Sequence, residues 1–188
     1  MKHMSNRAKA CFAFACTVLT LSLLTFAHDH HRYHRFDNDD NVVRWKSMEG
    51  NITALGIDNP VAGIGTGTLP WTATRGSARV NLLTGAASFE VEGLVLNGGN
   101  ATGTPGPVDQ VEGSLICNPG TNAQAILTTD PVTLSATGDA EFSGNIGNVP
   151  SPCANPLFLI RIGPDLPGAN QRWIATGAVR TSGTQREE

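Results

Sequence analysis

Four of the chain's five histidines fall within seven residues, HDHHRYH at 28–34, and none follows His34 in a sequence of 188 residues. Imidazole is the commonest protein ligand for zinc, copper and nickel, and clustering raises the local concentration of ligands. If the chain begins at His28, the spacing defines a more specific chemistry. The free amine, the amide nitrogens of Asp29 and His30, and the His30 imidazole then surround Cu(II) or Ni(II) in a square plane, the tetragonal nitrogen geometry those ions favour. His31 and His34 supply a second, looser site that also suits Zn, and Asp37, Asp39 and Asp40 add oxygen ligands. With any other starting residue His30 leaves third place, and the stretch reads as a solvated His/Asp-rich spacer. The copper brace of oxidative polysaccharide-cleaving enzymes is not this pattern. Such a centre needs its second histidine on a rigid scaffold, and every candidate here lies within six residues of the first.

The start of the chain bears on that site. Lys2, Arg7 and Lys9 precede an uncharged, mostly apolar run at 10–27, and Thr25 and Ala27 place small residues at the minus-three and minus-one positions. This is the pattern of an export signal cut after Ala27; an uncleaved anchor is the alternative, since about 17 apolar residues is the lower limit for a span. Cleavage removes three of thirteen basic residues and none of the sixteen acidic ones, leaving a net charge near −6 and Lys46 as the only lysine. That balance disfavours nucleic acid and anionic membrane surfaces as partners. Of four cysteines, Cys117 and Cys153 remain, and two in an oxidising compartment predict one disulfide. The expected location is therefore outside the cytoplasm: secreted, periplasmic or at the cell surface.

Other chemistries find little in the remaining residues. No histidine after position 34 can serve as the base of a Ser-His-Asp set. GIGTG at 63–67 lacks the lysine and the following helix of a phosphate loop and reads as a turn. Glu90 with Glu92, and Asp139 with Glu141, have strand spacing on one face, about 6.5–7 Å apart at the backbone, and read as a solvated sheet surface rather than a glycosidase pair. Trp45, Trp71 and Trp173, the only tryptophans, are the candidates for a sugar platform but read first as core residues; Trp71, after Leu69-Pro70, is the one least expected to be fully buried. Two sequons, at Asn51 and Asn100, are acceptors only where glycosylation machinery exists.

The elements that must position these residues are strands. After Val42 the chain is rich in Val, Ile, Leu, Thr and Ala, broken every several residues by Gly, Pro, Asn or Asp, and no stretch keeps a 3.6-residue apolar repeat over three turns. This predicts an all-β antiparallel two-sheet sandwich of about eight or nine short strands, with a partly closed barrel as the alternative and almost no helix. The clearest unit is SARVNLLTGAASFEVEG at 77–93, a hairpin around Thr84-Gly85. Its expected register sets Leu82 against Ala87, Val80 against Phe89 and Ala78 against Val91 on one face, and Arg79 against Glu90 on the other. VEGLVL at 91–96 returns as VEGSLI at 111–116, with a Gly/Pro-rich loop at 97–107 between the copies. Further strands are expected near 51–57, 123–128, 132–136, 140–146, 157–162 and 172–179. The domain plan is a signal at 1–27, a disordered His/Asp-rich arm at 28–41, a β domain at 42–182 and a flexible tail at 183–188.

The runs LPW (69–71), GSARV (76–80), EVEGLVL (90–96) and SPC (151–153) resemble a group of small exported bacterial proteins of unknown activity. The resemblance implies an exported β-rich domain with Cys117 and Cys153 paired and transfers no activity. The reading is thus an exported, non-enzymatic β domain with a structural or binding role, preceded by a metal-capturing arm whose metal ligands are His28, Asp29, His30, His31 and His34. A carbohydrate-binding or carbohydrate-active surface protein is the alternative, and any protein or glycan partner is left open.

Overall fold

The computed structural model describes residues 39–54, 57–164 and 171–182. The chain divides into two units, Met1–Arg35 and Phe36–Glu188, and all the described residues belong to the second. The histidine stretch, residues 1–27 read above as an export signal, and residues 183–188 lie outside the described residues. A short 3-10 turn, Asp39–Asn41, leads into eleven strands: β1 (Val42–Gly50), β2 (Trp71–Thr72), β3 (Arg75–Asn81), β4 (Ala86–Glu92), β5 (Val95–Leu96), β6 (Gln110–Cys117), β7 (Ala125–Thr128), β8 (Val132–Thr133), β9 (Ala140–Asn145), β10 (Leu157–Ile162) and β11 (Trp173–Ser182). The expected all-β, antiparallel, nearly helix-free fold is what the chain adopts. It takes the form of one curled nine-stranded sheet, a half-barrel, ordered β7-β6-β10-β11-β1-β3-β4-β9 with β8 beside β7 along β6, plus a small β2–β5 sheet.

The interior explains the curl. Phe89 on β4 and Phe158 on β10 have three strands between them in sheet order, which would separate them by roughly 19 Å in a flat sheet. Their ring centroids are instead 6.0 Å apart, with Phe142 on β9 stacked on Phe89 at 5.9 Å and Trp45 on β1 tilted against Phe158 at 5.4 Å. Val80, Val91, Leu115, Ile160 and Ile174 fill the same core, which also takes Trp71, Leu94, Leu96 and Val108 from β2, β5 and their loops.

Strands β6 and β10 are buried on both faces. Their outer side, with Trp173 of β11, forms a second apolar cluster of Ile64, Ile116, Leu159 and Trp173 against Val61 and Ala62. The loop at 57–67 is tied there by main-chain bonds from Gly67 N to Trp173 O (2.8 Å) and from Trp173 N to Gly65 O (2.9 Å), and by Trp173 Nε1 donating to Asn59 O (3.1 Å). This loop supplies the second layer that another sheet would supply in a full sandwich.

Several local expectations are corrected. The 77–93 hairpin forms, but in a register two residues away: Ala78 faces Phe89, Val80 faces Ala87, Arg79 faces Ser88 and Arg75 faces Glu92. A shift of two keeps each side chain on its predicted face. The cause is the turn. Asn81 Oδ1 accepts from Leu83 N and Thr84 N, while Gly85, at φ 72°, donates to Asn81 O, so the chain reverses over four residues rather than two. A strand does not form at 51–54; the strand lies just before it, where burial passes from Val43 and Trp45 to Met48 and breaks simple alternation. Asn51 N still donates to Ile174 O (2.8 Å), but its buried side chain accepts from Trp71 N (2.9 Å) and donates to Thr66 Oγ1 (2.7 Å), and the pairing ends there, leaving Ile52 92 % exposed. The same contacts remove Asn51 as a glycan acceptor in the folded chain.

Cys117 at the end of β6 is bonded to Cys153, as expected. Asn118 reinforces the join: its N donates to Ala154 O, and its side chain accepts from Ala154 N and donates to Pro152 O. With a separation of 36 residues, replacing both cysteines with serine should lower the unfolding free energy in urea by about 4 kcal/mol. A second expectation concerns the hairpin turn. A Cβ at Gly85 would collide with the carbonyl of Gly147, whereas one at Gly103, also at positive φ, meets nothing. Gly103→Ala should therefore cost about 1–2 kcal/mol from backbone conformation alone, and Gly85→Ala clearly more in the same denaturation assay.

Candidate functional site

Alternation along β3, β4 and β9 brings the predicted carboxylates together on one outer face. Glu90 of β4 stands directly opposite Glu141 of β9. Together with Glu92, Asp139 and Thr133 of β8 they line an open depression of about 450 Å³. The expected Arg79–Glu90 partnership does not form, because the two-residue register shift pairs Arg75 with Glu92 instead (2.5 Å) and leaves Glu90 an acceptor from Ser77 Oγ (3.3 Å). Asp139 accepts from Thr137 Oγ1 (2.6 Å), Gly93 N (3.0 Å) and Ser135 Oγ (3.3 Å). Those donors, Thr137 first, hold its carboxyl below the usual aspartate range. No aromatic side chain is among the residues that line the depression.

The tryptophans are all buried. Trp71, the one least expected to be fully buried, is 4 % exposed, alongside Trp45 at 2 % and Trp173 at 5 %. The reason is Asn51, whose main-chain and side-chain oxygens both accept from Trp71 N and draw β2 inward. Trp71 instead lines a small apolar pocket of about 130 Å³ with Leu69, Leu96, Val108 and Ile162, and Arg172 at its rim. Arg172 is already engaged: Nη1 donates to Thr66 O (2.7 Å) and lies 3.9 Å from Asp58 Oδ1. No carboxylate lines this pocket, and no tryptophan lines the carboxylate depression.

Sequence reasoning missed a buried ion pair. Glu112 of β6 is opposite Arg161 of β10 on the outer face, with Arg161 Nη1 3.5 Å from Glu112 Oε1 and both side chains under 10 % exposed. Arg161 also donates from Nε to Gln171 O (2.9 Å) and from Nη1 to Ser114 Oγ (3.1 Å). Burial pushes the Glu112 carboxyl up and the Arg161 guanidinium down, each opposed by the attraction of its partner. The signal was present: one acid alone in VEGSLIC and one base alone in LFLIRI are each out of place in an apolar strand and match each other.

The ligands predicted on the arm, His28, Asp29, His30, His31 and His34, lie outside the described residues. Among the described residues no group of three His, Cys, Asp or Glu side chains is placed to hold a metal ion, and no helix is long and apolar enough to cross a membrane. Compared with known protein families, characterised proteins and solved structures, the chain matches none.

The buried pair makes stability depend on pH in a defined direction. Folded Glu112 holds its proton more tightly than unfolded Glu112, so its contribution is full below the ordinary glutamate range and is lost as pH rises through the raised folded value. Glutamine does not titrate. The difference in unfolding free energy between Glu112→Gln and wild type should therefore move in the variant's favour from about pH 4 to about pH 8, as read by urea titrations at each pH.

Proposed function

We propose that this chain is an exported, non-enzymatic β domain with a binding role, and that its ligand chemistry resides in the segment before the domain, as capture of Cu(II) or Ni(II), and less specifically Zn(II), by His28, Asp29, His30, His31 and His34. The observation that carries this reading is the partition of residue types: four histidines in seven residues, and none from position 35 to the end. The Cys117–Cys153 bond is consistent with an oxidising compartment outside the cytoplasm. It also leaves no thiol after position 16 to compete for metal.

The alternative, a carbohydrate-binding surface, has less support. Sugar platforms are exposed aromatic faces beside polar groups, and the three tryptophans are buried, the carboxylate depression lying apart from them. The metal reading rests on one peptide bond. The exported chain should begin at His28 by N-terminal sequencing and should bind about one equivalent of Cu(II) in the tetragonal mode, seen by visible absorption and titration. His30→Ala should abolish that band and His34→Ala should leave it. A chain beginning elsewhere, or a band indifferent to His30→Ala, removes the amino-terminal site and leaves the stretch a spacer.

A further inference from the structure

The two edges of the curled sheet are unequally protected. Along β6 the edge is made by β7 and β8, four and two residues long, with Asp130 and Pro131 between them. Short strands and proline blunt an edge against pairing. The opposite edge, β9, runs six residues, Ala-Glu-Phe-Ser-Gly-Asn, with neither lysine nor proline.

The ladder determines which of its backbone groups are used. Ile146 N donates to Gly85 O, and the register continues through Gly144 with Ala87, Phe142 with Phe89 and Ala140 with Val91. In an antiparallel pair these alternate residues carry the bonds. The N–H and C=O groups of Glu141, Ser143 and Asn145 therefore point away from β4, and β9 pairs with no other strand among the described residues, although β8 comes near its start, where Thr133 shares the carboxylate depression with Ala140 and Glu141. Glu141, Ser143, Gly144 and Asn145 are all exposed.

We propose that two copies of this chain join through β9, antiparallel about a twofold axis at Ser143, so that one sheet runs continuously across the dimer. The strand is self-complementary in that register. Ser143 meets its own counterpart, and Glu141 meets the uncharged Asn145 of the second copy, whose side chain is held within its own chain by Thr84 O and Gly147 N, with about six main-chain bonds formed. Like charges are kept apart: the two Glu141 carboxylates stand roughly 14 Å from each other, four residues along the strand, beyond a Debye length of about 8 Å. Small residues at the centre let the backbones close. On the inner face Phe142 folds over its own Gly144, where a Cβ would lie 2.7 Å from the ring, so the join brings two aromatic rings alongside each other.

Sedimentation equilibrium on the whole chain with its disulfide intact tests this against Ser143→Pro. Ser143 N–H faces outward, so proline there removes an edge donor without touching the β4 ladder. Wild type should be a concentration-dependent dimer and Ser143→Pro a monomer with an unchanged circular dichroism spectrum. Amide exchange on wild type gives an answer that needs no variant: the Glu141, Ser143 and Asn145 amides should slow about tenfold or more as concentration rises, while that of Ile126 on β7 should not. A chain that stays monomeric, a dimer that survives Ser143→Pro, or protection that appears on β7, as in open-ended β9–β7 chains, overturns the proposal. So does a β9 edge already protected at high dilution, which would mean another segment occupies it.

Discussion

Across the interior of the sheet the rings of Phe89 and Phe158 meet over the backbone of Gly113. A Cβ at position 113 would lie 2.7 Å from Phe158 Cζ and 2.8 Å from Phe89 Cδ1, closer than packed carbon atoms allow. With hydrogen there, strands with three others between them in sheet order close onto one another, and each buried phenylalanine contributes about 1.5–3 kcal/mol. The curl that follows sets β6 and β10 in the middle of the molecule, puts β9 at an edge and turns the β4–β9 surface outward. The carboxylate depression, the buried ion pair and the exposed strand edge are all positioned by that approach.

The legible and illegible parts of this fold divide along physical lines. Alternation identified the faces of the 77–93 hairpin, yet a period of two cannot distinguish registers that differ by two. The Asn81 side chain made that choice, and with it the exchange of Arg79 for Arg75 as a carboxylate's partner. The repeated letters VEG show the same limit from another side. Gly93 adopts φ 62° and breaks the first copy between β4 and β5, whereas Gly113 is part of β6 and lets the second copy run through. Nothing within three residues distinguishes them; the packed phenylalanines do. Trp71 and Asn51 are a third instance. Whether the indole is inside or outside depends on an amide twenty residues earlier, and no local pattern carries that information.

Polar groups take up a large share of the positioning. Asn51 joins β1 to β2 and to the loop at 57–67, while Asn118 joins the end of β6 to the segment carrying Cys153. Glu112 and Arg161, each alone in an apolar strand, impose a register on β6 and β10 that their apolar neighbours would not specify alone. Single-partner loss at such a site leaves a desolvated charge, so the pair enforces alignment. Among the described residues no buried side-chain nitrogen or oxygen lacks a hydrogen-bond partner. The domain's buried polar groups are thus committed to its own scaffold, which is why the proposed binding chemistry is placed in the preceding segment.

The strand order also governs when such a chain can become stable. The last strand, β11, lies between β1 and β10 and bonds to both. A chain made from its N-terminus onward therefore holds β1 with one of its two neighbours missing until residues 173–182 emerge.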